Sequence, residues 1–280
     1  MALAPRGILG VVHLPAMPGD PQDGGSFEGM VAHAVADAEA LRKGGVDGIV
    51  VENFGSIPFA KGDVNSTLPP HQIAAMTRAV LEIRQRFEGP IGVNCLRNDA
   101  RSALGIAAAT GANFIRVNVH VGAYVTDQGL IEGEAHNTLR SRAQLGADVA
   151  ILADVLVKHA TPLAPITPED ATEDTVKRGL ADGVIVTGRA TGAPVDAELL
   201  ETVGRAAGSA PVYVGSGLTV ESAAMLAPLC DGAIVGTAFK HGGQVRAPVD
   251  ASRVRALCDA ARPLLRRRPA ESVGKNRDAE

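Results

Sequence analysis

Eight short runs rich in β-branched residues, each followed by a stretch with helical periodicity, predict a (β/α)8 TIM barrel built as a single domain. Two further observations agree. The runs are apolar throughout rather than alternating, as strands covered on both faces must be. No shift in composition marks a second domain within the 280 residues. An open doubly wound sheet is the alternative. Eight units suit closure better, and no GxGxxG follows the first strand. The barrel is expected over residues 1–268, with 269–280 a polar, disordered tail.

The elements follow in order. Ile8–Leu14 is the first strand, stopped by Pro15 and Pro18. Ser26 caps a helix to about Lys43, with Met30, Val31, Ala34, Ala38 and Leu41 on one face, and Gly44-Gly45 ends it. Gly48–Glu52 is the second strand, and a Pro/Gly-rich loop leads to a helix over His71–Phe87. Ile91–Cys95 and Phe114–Val119 are strands three and four, with Asp99 before the helix Ala100–Ala109 between them. A long loop and a helix around Glu134–Gln144 follow. Val149–Val155 is strand five, and Thr167 caps a helix with Pro168 at its first position, running to about Leu180. Gly183–Thr187, Val212–Gly215 and Gly232–Gly236 complete the strands. Their helices are Asp196–Ala207, Thr219–Leu226 and, capped by Asp250, Ala251–Arg266.

Composition narrows the function. A net charge of -4 gives no basic face for nucleic acid, so no nucleic-acid partner is expected. No apolar run approaches the roughly 18 residues that span a bilayer, so no transmembrane segment is expected. Cys95, Cys230 and Cys258 are far apart and unpaired by spacing, which reads as reduced thiols of a cytoplasmic protein. A barrel of Ala, Val and Leu also suits a homo-oligomer, although one sequence names no interface.

In barrels of this kind the chemistry gathers at the C-terminal ends of the strands. Strand by strand these ends deliver His13; Glu52 with Asn53; Asn94, followed by Arg97, Asn98 and Asp99; Asn118 with His120; and Asp154, Lys158 and His159. An unpaired buried carboxylate costs several kcal/mol, so Glu52 and Asp154 need partners such as Lys158, a metal or a substrate. The plainer reading makes Asn94 and Asn118 braces of the interior and His13 a core histidine. His33, His71 and His241 read as surface or structural residues, and His136 is ambiguous. The catalytic set is therefore Asp154, Glu52, Lys158, His13, Asn94, Asn118 and His120, with Asp154 ahead of His159. The cofactor is open. A divalent metal on His13, Glu52, His120 and Asp154 is the variant weighed, without local ligand spacing to support it.

A second pattern points to an anion. Val214-Gly-Ser-Gly-Leu-Thr219 and Val235-Gly-Thr-Ala-Phe-Lys240 are Gly-rich turns after strands seven and eight, where this fold commonly holds phosphate on backbone N–H groups. Gly215, Ser216, Gly217, Gly236 and Thr237 would supply donors, with Gly188 and the turn to Gly192 closing over the same anion. The plainer reading is that tight βα turns need glycine. The ligand expected is a phosphorylated small molecule, a sugar phosphate or a nucleotide.

Gly10-Val-Val-His-Leu-Pro-Ala-Met-Pro-Gly19, Val51-Glu-Asn-Phe-Gly55, Gly92-Val-Asn-Cys-Leu-Arg-Asn98, Arg116-Val-Asn-Val-His120, Ala153-Asp-Val-Leu-Val-Lys-His-Ala160 and Gly183-Val-Ile-Val-Thr-Gly188 together resemble the BtpA family. The resemblance spans roughly Leu9 to Lys240. It implies a phosphate-binding TIM barrel and, through the family's cyanobacterial namesake, an association with photosystem I biogenesis or stability. Relatives in organisms without photosystems argue against a purely photosynthetic role. The resemblance assigns no reaction. Two expectations follow. One is an enzyme working on a phosphorylated substrate by acid–base chemistry, as an isomerase, lyase or hydrolase, with a Schiff base on Lys158 as a variant. The other is a non-catalytic assembly factor.

Overall fold

The computed structural model describes residues 3–22, 25–188 and 195–266. Eight strands close into a parallel barrel in the order β1 (Gly7–His13), β2 (Gly48–Glu52), β3 (Ile91–Asn94), β4 (Phe114–Val117), β7 (Ala150–Val155), β9 (Gly183–Val186), β10 (Val212–Val214) and β11 (Gly232–Val235). Closure is made where Gly7 through Gly10 register with Gly232 through Val235. The helices are α1 (Phe27–Gly44), α2 (Pro70–Arg84), α3 (Ala100–Thr110), α4 (Ala135–Gln144), α5 (Pro168–Glu173), α6 (Ala197–Ala206), α7 (Ala223–Leu226) and α8 (Ala251–Ala261). The expected barrel is therefore present. The expected tail, 269–280, lies outside the described residues.

Two apolar layers hold it. Outside the strands, Ile8, Val12, Ile49, Val51 and their equivalents pack against the helices. Inside, Leu9, Val11, Val50, Phe114, Leu152, Ile185, Tyr213 and Ile234 fill the interior. The strands thus alternate between two buried surfaces, which is why their sequences look continuously apolar. Gly92 illustrates the fit: a Cβ there would stand 2.2 Å from the Phe114 ring, so the glycine is the space the ring occupies. Inward-facing positions i, i+2 and i+4 of each strand lead up to the C-terminal mouth, and the polar residues begin one step above this apolar plug.

Helix starts match the capping chemistry. Ser26, Asp99, Thr167 and Asp250 each accept a backbone N–H from the first turn of their helices. Several ends differ from expectation. The helix expected over Thr219–Leu226 begins only at Ala223. Thr219 and Ser222 instead bond each other's backbone, Thr219 N–H to Ser222 Oγ at 2.9 Å and Ser222 N–H to Thr219 Oγ1 at 3.2 Å. Such side-chain bonds compete with helix formation. The helix after Thr167 changes to π geometry over Asp174–Arg178. α8 stops at Ala261 because Pro263 lacks the N–H a continuing helix needs.

The segments read as long loops after strands four and five hold a further sheet. β5 (Ala123–Thr126), β6 (Gly129–Glu132) and β8 (Ala160–Pro162) pair antiparallel in the order β6-β5-β8. Val119, Tyr124, Ile131 and Val157 form a small core beneath it. Both insertions leave from the C-terminal ends of β4 and β7, so this sheet stands on the same face of the barrel as the polar strand ends.

Candidate functional site

The mouth of the barrel opens into a cavity of about 400 Å3. One wall is made by the turns after β10 and β11, including Gly215, Ser216, Gly217, Gly236 and Thr237. The same lining includes His13, directly beside Gly236, together with Glu52, Arg116 and Lys158. Arg253 of α8 and Glu221 line its outer end. Of the predicted polar strand ends, His13, Glu52 and Lys158 thus share one space with the Gly-rich turns, while Asn94, Asn118 and Asp154 are not part of its lining.

Register explains the arrangement. His13 pairs with Glu52, and Glu52 with Asn94, across three adjacent strands. Asn94 donates to Glu52 Oε2 at 2.5 Å, while Glu52 Oε1 stands 3.8 Å from His13 Nε2. Burial, then the positive charges of Lys240 and Lys158, lower the His13 pKa to about 3. His13 is therefore neutral near pH 7, and its approach to Glu52 is not an ion pair. Its Nδ1 is buried and has no hydrogen-bond partner among the described residues. Gly236 is required beside it, since a Cβ there would lie 2.6 Å from His13 Cε1. Phe54 packs against the other side of the ring, with centroids 4.8 Å apart.

Asp154 differs from expectation. Its side chain is fully buried, and both oxygens are engaged. Arg116 donates to Oδ1 at 3.0 Å and to Oδ2 at 3.2 Å, and Asn118 donates to Oδ2 at 2.9 Å. The residue presented to the cavity is Arg116, with Asp154 behind it as its counter-charge. Arg116 keeps its charge: burial pulls its pKa down, but Asp154 and Glu52 more than offset this. Asn118 and Asn94 each spend their amide on a carboxylate, and each has a buried carbonyl oxygen with no partner among the described residues.

Lys158 lies just beyond β7 with its backbone held at both sides. Its N–H donates to Thr187 Oγ1 at 3.2 Å, and its carbonyl accepts from Arg97 Nη2 at 2.9 Å. Arg97 also pairs with Asp127 in the β5–β6 turn at 3.0 Å. Among the described residues the Lys158 ammonium has no hydrogen-bond partner. Burial first, then Arg116, lowers its pKa. His159, next in sequence, is exposed and lies outside the cavity lining.

Three expectations are corrected. His120 does not face the cavity: its Nε2 bonds the Gly179 carbonyl at 2.8 Å behind the strand. His13, Glu52, His120 and Asp154 accordingly do not converge, and among the described residues no group of three or more His, Cys, Asp or Glu is disposed to hold a metal. Gly188 is not a free anion donor, because its N–H donates to Ser216 Oγ at 3.0 Å. The turn beyond it, Arg189 to Gly192, lies outside the described residues. The three cysteines are buried and free. No helix among the described residues is long and apolar enough to cross a membrane.

Arg116 and Arg253 escaped the reading of strand ends. Arg116 sits two residues before Asn118, in phase with inward-facing Phe114 and in the middle of an apolar strand. That period-2 placement was the available signal. Arg253 lies on α8, remote in sequence from every strand end, and no local pattern marks it.

Comparison with known proteins agrees with the sequence motifs. The BtpA family model matches residues 4–263. The chain is 46% identical over 266 residues to the photosystem I biogenesis protein BtpA of Synechocystis sp., covering 95% of this chain and 91% of that one. It is 44% identical to an uncharacterized protein of Pyrococcus furiosus, covering 92% and 95% of the two chains. Among solved structures, thiamine phosphate pyrophosphorylase from Pyrococcus furiosus superposes with a TM-score of 0.57 at 14% identity, over 92% of this chain and 96% of the other, a likeness of fold alone. On these matches, the chain belongs to the BtpA family.

Proposed function

We propose that the protein is an enzyme acting on a phosphorylated small molecule, a sugar phosphate or nucleotide, by acid–base chemistry at the barrel mouth. The observation that carries this reading is one cavity whose lining combines the glycine-rich turns with Glu52, His13, Arg116 and Lys158. The phosphate rests against Ser216, Gly217, Gly236 and Thr237, where backbone N–H groups approach without intervening side chains. Arg253 supplies charge at the outer end. Glu52, oriented by Asn94, accepts a proton from the reacting end. Arg116 stabilises the negative charge that then develops. His13 offers a further polar contact, and Asp154, braced by Asn118, holds Arg116 in place.

A thermal-shift panel of phosphorylated metabolites tests the reading. A sugar phosphate or nucleotide should raise the melting temperature more than inorganic phosphate does. Glu52→Gln should keep that shift while turnover of the stabilising compound falls by about 100-fold or more, the usual size of a general-base contribution. A panel in which no phosphorylated compound stabilises the protein overturns it. The 46% identity to a protein named for photosystem I biogenesis supports a second reading, a non-catalytic assembly factor. That reading predicts retention of a protein or pigment partner and no response to metabolites.

A further inference from the structure

We propose that Lys158 acts as a covalent amine, adding to the carbonyl carbon of a phosphorylated aldehyde or ketone and forming an imine. This rests on the phosphorylated-ligand reading and narrows it to carbonyl compounds.

The argument starts from how the residue is held. Thr187 fixes its N–H and Arg97 fixes its carbonyl, so the Lys158 backbone is positioned on both sides. The residue lines the mouth cavity together with the Gly-rich turns. Its amine has no carboxylate or carbonyl partner among the described residues. Among the charges acting on it, Arg116 comes first and lowers its pKa, Glu52 and Asp154 follow and raise it, and Arg97 lowers it again. Arg116 has its own counter-charge in Asp154 at 3.0 Å, so that carboxylate is already engaged. A lysine kept only for charge would gain from a carboxylate and lose from neighbouring guanidinium groups. An amine kept for nucleophilic attack needs the reverse, because only the unprotonated form carries a lone pair. The lowered pKa of Lys158, due to burial and then Arg116, is consistent with this. The phosphate does not need this lysine, since the Gly-rich turns provide for it.

The step balances without a redox partner. The amine lone pair attacks the carbonyl carbon, and the C=O π electrons move to oxygen, which takes a proton. Nitrogen loses a proton, the hydroxyl is protonated and leaves as water, and a C=N bond remains. Glu52 lines the same cavity and is the group available to receive and return these protons. The protonated imine then withdraws electrons from the adjacent C–H or C–C bond, which suits isomerisation or carbon–carbon cleavage.

The test is reductive trapping. The full chain is incubated with dihydroxyacetone phosphate, glyceraldehyde 3-phosphate, ribose 5-phosphate or fructose 6-phosphate, each with sodium borohydride, and measured by intact mass and peptide mapping. The expected result is one adduct per chain, of the ligand mass less one oxygen atom, located on Lys158. Lys158→Arg keeps the charge and should abolish the adduct while inorganic phosphate still shifts the melting temperature. Adducts spread over surface lysines, unchanged in Lys158→Arg, overturn the proposal. Thermal stabilisation by these compounds with no Lys158 adduct also overturns it and leaves the phosphorylated-ligand reading standing. Trapping on Lys158 by an unphosphorylated carbonyl, with no phosphorylated compound stabilising the chain, does the opposite. Neither stabilisation nor trapping overturns both.

Discussion

Two lysines stand at the barrel mouth, and their surroundings are opposite. Lys240, after β11, is 1% exposed, and its ammonium lies 2.5 Å from Asp37 Oδ2 on α1. The same carboxylate accepts the Val249 N–H at 2.8 Å and faces His33 at 3.4 Å. Burial pushes the Asp37 pKa up, but His33 and Lys240 outweigh it and hold the carboxyl below its usual range. Lys158, after β7, has only its backbone secured. A buried ammonium matched by a carboxylate joins one element to another. One that is half-buried and has no hydrogen-bonded carboxylate among the described residues, as at Lys158, carries a desolvation cost that a ligand relieves. The contrast separates a lysine that builds the barrel from one reserved for its contents.

The largest effect expected is at Lys240. Lys240→Ala leaves Asp37 buried beside unpaired space, and breaking a buried pair from one side costs about 3–5 kcal/mol. Urea denaturation should show that loss. The double variant Lys240→Met with Asp37→Asn should recover much of it, because no lone charge remains. A single-variant loss under about 1 kcal/mol would break the contrast, since that is the range of an exposed pair.

The next effect comes from His13, which both lysines influence. Its folded-state pKa is about 3 against an ordinary 6.5, so the unfolded chain binds the proton first as pH falls. Stability from its neutrality is complete above about pH 6.5 and declines as pH drops toward 3. At pH 5 the loss should be roughly 2 kcal/mol, from 1.36 kcal/mol per pH unit below the unfolded value. Subtracting the pH–stability curve of His13→Gln from that of the native chain isolates this limb. Identical slopes between pH 6.5 and 4.5 would show that His13 is not held neutral.

The fold and half of the site were legible in the sequence for the same reason. Barrel strands repeat one periodic pattern, and the residues at their ends fall in register, so His13, Glu52 and Asn94 could be placed side by side from strand positions alone. Long-range pairing was not legible. Nothing local to Asp154 says that Arg116, 38 residues earlier, takes both of its oxygens. Nothing local to His120 points to the Gly179 carbonyl. The antiparallel sheet was hidden because its strands are short: β8 has three residues and finds β5 only after the chain has passed through α4 and β7. Tyr124-Val-Thr126 followed by Gly129 was the one visible trace of the hairpin.

The smallest effect is expected at Lys158. Lys158→Met keeps the length and apolar stem of the side chain and removes an amine that has no counter-ion among the described residues. Burial and then Arg116 weigh against the Lys158 charge more than Glu52 and Asp154 support it, so removing it relieves a net penalty. Stability should therefore stay level or rise by up to about 1 kcal/mol, the stability–function exchange seen where a strained group is kept for activity. The response to phosphorylated carbonyl compounds should disappear in the same variant. A loss of more than about 2 kcal/mol would place Lys158 with Lys240 among the residues that hold the structure together. The distinction between the two lysines would then rest on degree of burial rather than on use.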